Sequence, residues 1–130
     1  MNNVDLIKAG YADFTSGNIP AVVERFADDI NVTIAGAPEV PYAGTFRTRD
    51  ELMQFFQNLG ASVNISVFEP REYFADGDRV IALGHYQGEV RKNGRSFAND
   101  WAMAWTIRGG QIVGMQELVD PTPLKRAFGG

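Results

Sequence analysis

An α+β fold, with helices in the first half and an antiparallel meander in the second, follows from three features of this sequence. The hydrophobic period changes along the chain: the long apolar segments before Gly60 repeat at helical spacing, and those after it alternate. Three turn-rich breaks, "DGD", "KNGR" and "RGGQ", separate the later runs at hairpin spacing. A capping box, Thr48-x-x-Glu51, opens the last long helix before the strands begin. Helices followed by hairpin-linked strands pack on one face of a strongly bent sheet.

Taken in order, Val4, Ile7, Tyr11 and Phe14 form one apolar stripe of a first helix, which Gly17 ends. Asn18 caps a second, with Pro20 in its first turn and Val22, Val23 and Phe26 on its buried face. "INVTI" reads as a β-branched strand. "AGAPEVPYAG" is a Pro/Gly loop. "RDELMQFFQNLG" is a helix that Gly60 is expected to stop. Four strands follow: "SVNISVFEPREYFA", with Pro70 marking a bulge or an edge, then "RVIALGHYQGEVR", "SFANDWAMAWTI" and "QIVGMQELVD". The tail "PTPLKRAF" reads as a short helical turn.

The chain has 130 residues, which fits one domain spanning 1–130 with a sizeable core. It has no cysteine, so disulfides, thiolate catalysis and cysteine-held zinc are excluded. The net charge is −4 with no basic run, which argues against nucleic acid or an anionic membrane surface as partner. No apolar run reaches membrane-spanning length, and the start lacks a signal-peptide pattern, so a cytoplasmic protein is expected. No His/Asp cluster has metal-ligand spacing, so neither a metal nor another cofactor is expected; Asp28 and Asp29 read as a solvated helix end. Nine Phe and two Trp are enough to line an apolar pocket as well as fill a core.

The last hairpins raise the functional question, because the core-building run "NDWAMAWTIRGGQIVGMQELVD" carries a lone carboxylate, Glu117. Three-residue loops with a Gly bulge, Arg108-Gly109-Gly110 and Lys92-Asn93-Gly94, set Trp101 beside Glu117, Met103 beside Met115, His85 beside Trp101 and Gln87 beside Asn99. One face then collects Leu83, His85, Gln87, Asn99, Trp101, Met103, Trp105, Met115, Glu117 and Val119. The other collects Gly84, Tyr86, Gly88, Asp100, Ala102, Ala104, Gly114, Gln116 and Leu118. The bulkier, more apolar face is expected to be the concave one. Asn-Gly also suits a two-residue turn, which would slip the partners by one and undo the grouping.

"YADFTSGNIPAVVERFADDINVTI", "PYAGTFRTRDELMQFF", "EPREYFADGDRVIALGH" and "DWAMAWTIRGGQIVGMQELVD" resemble SnoaL-like, ketosteroid-isomerase-related proteins of the nuclear-transport-factor-two-like superfamily, over nearly the whole chain. The resemblance implies a cone-shaped roll whose concave sheet face encloses a pocket. Members include isomerases, epoxide hydrolases, cyclases, dehydratases and binding proteins, so fold alone does not give function. In the limonene-epoxide-hydrolase branch the water-activating carboxylate falls on Glu117, while its Arg and Asp partners fall on His85 and Gln87. The ketosteroid-isomerase strand acid falls on Met103, and its base position falls near Ile34. Neither full catalytic set is reproduced.

Glu117 as base with His85 as acid or partner is therefore the expected chemistry, since a carboxylate on an apolar face is costly without a role or a partner. The plainer alternatives are a Glu117 ion pair with Arg91, Arg95 or Arg47, and a His85 that is simply hydrogen-bonded. Gln87 and Asn99 could orient a ligand carbonyl or satisfy Glu117. Trp101, Met103 and Met115 are expected in the pocket wall, and Tyr42 at its mouth. Two function classes follow: an enzyme acting on a small apolar carbonyl, enol or epoxide compound, or a non-catalytic binding domain for a small hydrophobic molecule. The small residues of the outer face point to a homodimer through that face.

Overall fold

The computed structural model describes residues Met1–Gly129. Among them are α1 (Asn3–Thr15), α2 (Ile19–Glu24), β1 (Phe26–Ile34), β2 (Gly44–Thr48), α3 (Arg49–Ser62), β3 (Val63–Asp76), β4 (Arg79–Val90), β5 (Ser96–Arg108), β6 (Gln111–Val119) and α4 (Thr122–Ala127). No helix of the described residues is long and apolar enough to cross a membrane.

Local chemistry explains the helix ends. The Asn2 side chain accepts from the Asp5 amide at 2.8 Å and caps α1. At the far end Gly17 takes φ +81°, a conformation that costs a glycine little. Asn18 caps α2, accepting from the Ala21 amide at 3.3 Å. At α3 the Thr48 hydroxyl accepts from the Glu51 amide at 3.1 Å, and the Glu51 carboxylate accepts from the Arg47 amide at 2.7 Å. The helix passes Gly60 and ends at Ser62, because an isolated glycine weakens a helix by only about 1 kcal/mol. It stops where Val63 turns extended and pairs with Val90.

The sheet is curled and mostly antiparallel, in the order β2-β1-β6-β5-β4-β3, with β1 and β6 parallel. Several features of the first half depart from the sequence reading, among them Asp28 and Asp29, which lie within β1 and not at a helix end. Phe26 opens β1 rather than lying on α2, and Gly44–Thr48 forms an edge strand where only a loop and a cap were expected. Pro70 sits on edge strand β3 beside a register shift, where its missing N–H is tolerated. The helices cover the concave face, and Ile7, Leu52, Val32 and Ile107 are almost fully buried there. Each such side chain contributes roughly 1.5–3 kcal/mol.

Both decisive hairpins differ from the expected loops. Gly109 and Gly110 both have positive φ and form a two-residue turn with Arg108 opposite Gln111. A bulge follows: Ile107 faces Ile112, yet Thr106 faces Gly114. The two one-residue changes add to a slip of two, so Met103 faces Glu117 and Trp105 faces Met115 with the side-chain faces unchanged. The β4–β5 loop is Arg91–Gly94, closed by the Gly94 amide on the Val90 carbonyl at 2.8 Å. This is a slip of one, and it moves every side chain of β4 to the other face.

Candidate functional site

The concave face encloses a partly open cavity in which about 110 Å³ is available to the centres of water-sized molecules. Its wall is overwhelmingly apolar: Phe14 from α1, Leu52 and Phe55 from α3, Val32 from β1, and Met103 and Met115 from β5 and β6. Among the described lining residues, Glu117 is the only Asp, Glu, Lys, Arg or His. Its side chain reaches the cavity because β6 lies in the middle of the sheet and Glu117 shares the inward parity of Met115.

Glu117 is 8 % exposed. No ion pair among the described residues includes it, and the arginines considered as partners are engaged or lie elsewhere. Arg91 donates to the Gly60 carbonyl and Arg95 to the Arg126 carbonyl. Burial therefore pushes the Glu117 carboxyl up from 4.5 to about 7, and the Ala35 backbone amide pulls it back only in part. Three tyrosines share the cavity. Burial raises the Tyr11, Tyr42 and Tyr86 hydroxyls far above their ordinary value, with a further push from the Glu117 charge. They remain protonated and able to donate.

The Tyr11 hydroxyl is already engaged, donating to Met103 Sδ at 3.2 Å and accepting from Trp105 Nε1 at 2.9 Å. The Tyr86 hydroxyl accepts from Asn99 at 3.3 Å, which leaves its own proton free for a ligand or for Glu117. Tyr42 is buried edge-on between Phe55 and Phe128.

His85 and Gln87 do not join this group. The one-residue slip places them on the outer face, where His85 Nδ1 lies 2.8 Å from Asp100 and Nε2 lies 3.0 Å from the Gln87 amide. Leu83 turns outward with them. Asn99 does point inward, but it is buried behind the cavity wall, where it also donates to the Asp120 carbonyl at 3.1 Å. Trp101 is likewise inward and 3 % exposed, yet it packs behind the lining, stacked on Phe68 at 5.3 Å, and its indole N–H has no partner among the described residues. Tyr42, Met103 and Met115 do line the cavity.

Tyr86 is the cavity-lining residue that the sequence reading put on the outer face. The signal lies within β4 itself. One parity holds Arg79, His85, Gln87 and Glu89; the other holds Val80, Ala82, Gly84, Tyr86, Gly88 and Val90, with no charged or amide side chain. The parity without such groups is the one a concave apolar face requires.

Residues 7–115 match the description of a SnoaL-like domain. The chain belongs to the SnoaL-like family. An NTF2-like protein from Burkholderia xenovorans LB400 shares 33 % identity at a TM-score of 0.87, over 97 % of this chain and 95 % of that one. TerC, co-crystallised with polyporic acid, shares 22 % identity at a TM-score of 0.86, over 98 % of each chain. A protein of ketosteroid isomerase-like fold from Catenulispora acidiphila, in complex with trimethylamine, shares 20 % identity at a TM-score of 0.80, over 95 % and 92 %. No curated protein matches the chain. The SnoaL-like fold accounts for the curled, helix-covered sheet.

Proposed function

We propose that this SnoaL-like chain is a small-molecule enzyme that moves a proton at carbon in an apolar carbonyl compound, giving isomerase- or cyclase-type chemistry. The observation that carries the reading is Glu117: a lone, buried carboxyl held at about 7 in an apolar cavity. A base with that value ionises near neutral pH and still holds a proton well enough to return it. The Glu117 carboxylate takes a proton from the carbon next to the carbonyl. The C–H bond breaks and its electron pair moves onto the oxygen as an enolate. Tyr86 or Tyr42, protonated beside Glu117, donates a hydrogen bond to that oxygen. Glu117 then gives the proton back at the same or another carbon. Co-crystallisation of TerC with polyporic acid supports a small organic molecule as the occupant of such a fold.

Simple ketones serve as probes in place of the natural substrate. Deuterium exchange from solvent into cyclohexanone and 2-cyclohexenone is followed by NMR at pH 8. The wild type should accelerate exchange, and Glu117→Gln should lower the enzymatic rate by roughly 100-fold or more. His85→Asn should leave the rate within about twofold, because His85 lies on the outer face. Exchange that survives Glu117→Gln unchanged would overturn the mechanism.

A second reading, a non-catalytic binding domain, is favoured by one feature: among the described lining residues there is no Asp, Glu, Lys, Arg or His besides Glu117, and the tyrosines there are poor acids. On that reading, ligands bind to the wild type but no protein-dependent exchange occurs.

A further inference from the structure

Size, charge and hydrogen-bonding capacity of the cavity bear on which molecule it admits. An engineered apolar cavity of about 150 Å³ in another protein stays dry and takes benzene. The space here, about 110 Å³ for water-sized centres, is of the same order, which suits one six-membered ring and not a fused tetracycle. The described lining offers no cation to neutralise an anionic ligand, and Glu117 would repel one once ionised. Burying an unpaired second carboxylate beside it is strongly unfavourable.

The hydrogen-bond inventory narrows the choice further. The Tyr11 hydroxyl both donates and accepts within the protein. Ala35 supplies a backbone amide to Glu117, but a carboxylate has two oxygens and about four acceptor positions. The Ala35 amide and the free Tyr86 hydroxyl proton fill at most two of these positions, so acceptor capacity remains, and a ligand hydroxyl fills it with a charge-assisted hydrogen bond.

We infer that the cavity takes a neutral one-ring molecule carrying a single hydroxyl, a phenol or a cyclic enol, whose O–H is donated to Glu117, and that it rejects carboxylates of the same size. This deepens the proposed function and shares its site, since a cyclic enol is the tautomer of a ketone substrate. Binding, however, does not depend on turnover.

Calorimetric titration of the wild type at pH 8 uses phenol, toluene, benzoate and the tetracyclic phenol estradiol. Phenol should bind, toluene several-fold more weakly, and benzoate at least tenfold more weakly; estradiol should give no heat. Intermolecular NOEs from the phenol ring to the Met103 and Met115 methyl groups should place it in the cavity. Val32→Phe, which fills the cavity, should abolish the phenol heat, and the NOEs on the wild type decide the location should that variant fail to fold. Benzoate binding as tightly as phenol, estradiol binding more tightly, NOEs elsewhere, or no binding by any probe would each overturn the inference. Phenol binding without cyclohexanone exchange removes the catalytic reading and leaves this one standing. Exchange accompanied by tight benzoate binding does the reverse.

Discussion

Burial holds the Glu117 carboxyl at about 7, against 4.5 in an ordinary setting, so this residue makes stability depend on pH. Below about 4.5 the carboxyl is protonated in both the folded and the unfolded chain and contributes nothing. Between 4.5 and 7 the unfolded chain releases the proton while the folded protein keeps it, so stability falls as pH rises. Above 7 the loss is complete, at roughly 3 kcal/mol. Glu117→Gln should therefore raise the unfolding midpoint at pH 8 and leave it nearly unchanged at pH 4. Urea titrations at the two pH values check this, and equal shifts at both would show that Glu117 is not buried as an acid. If the proposed mechanism holds, the variant gains stability where it loses chemistry, the usual trade at an active site. The exchange rate should also rise with pH through about 7, as Glu117 ionises.

Within the elements, close approach decides which glycines can change. A Cβ on Gly84 would strike the Trp101 ring and the Glu69 carbonyl, because β4 lets the indole lie flat across it. Neither neighbour is a free side-chain end. Gly84→Ala should cost roughly 1–3 kcal/mol and lower the melting temperature by several degrees. Gly60, inside α3, meets nothing within 4 Å, and Gly60→Ala should stabilise by roughly 0.5–1 kcal/mol through helix propensity. Thermal melts of the two variants should therefore move in opposite directions; a tolerated Gly84→Ala would contradict the packing of Trp101. Gly60 also shows how a sequence signal is overridden. A glycine at the end of an apolar-periodic run resembles a helix stop, but the φ that would make it one is absent here.

At the scale of the whole molecule, the convex face of the sheet is left bare. Leu118 is 52 % exposed and Phe74 55 %, with Ile81 also exposed and the half-buried Ala102 of β5 opposite Leu118. Small residues beside exposed apolar ones let a second sheet approach closely. We propose that two copies pair through this face, the partner expected from the sequence. Sedimentation at micromolar concentration should give a dimer, and Leu118→Glu should give a monomer with the fold intact. A wild-type monomer would count against the pairing. His85, Gln87 and Asp100 lie on the same face, so their hydrogen-bonded row belongs to the proposed contact and not to the cavity.

The sequence by itself determined the order of the helices and of the last four strands, the caps at Asn18 and Thr48, the edge character of the Pro70 strand, and the inward parity of Met103, Met115 and Glu117. These are local or single-strand properties: spacing, capping chemistry and alternation act over a few residues. It did not determine how neighbouring strands are phased. On β5 and β6 the two-residue Gly109-Gly110 turn and the bulge that follows it each shift the register by one, and the parity of Glu117 is preserved. On β4 and β5 a four-residue loop shifts it by one, so His85 leaves the cavity and Tyr86 enters. The edge strand Gly44–Thr48 was hidden for a related reason, since its pairing with β1 depends on residues distant in the chain. A strand has a period of two, so one residue gained or lost in a turn inverts a whole face. The apolar parity of β4 marks the face fit for burial, but the pairing across the β4–β5 loop and the packing of α1 and α3 over the sheet decide which β5 residues share that face.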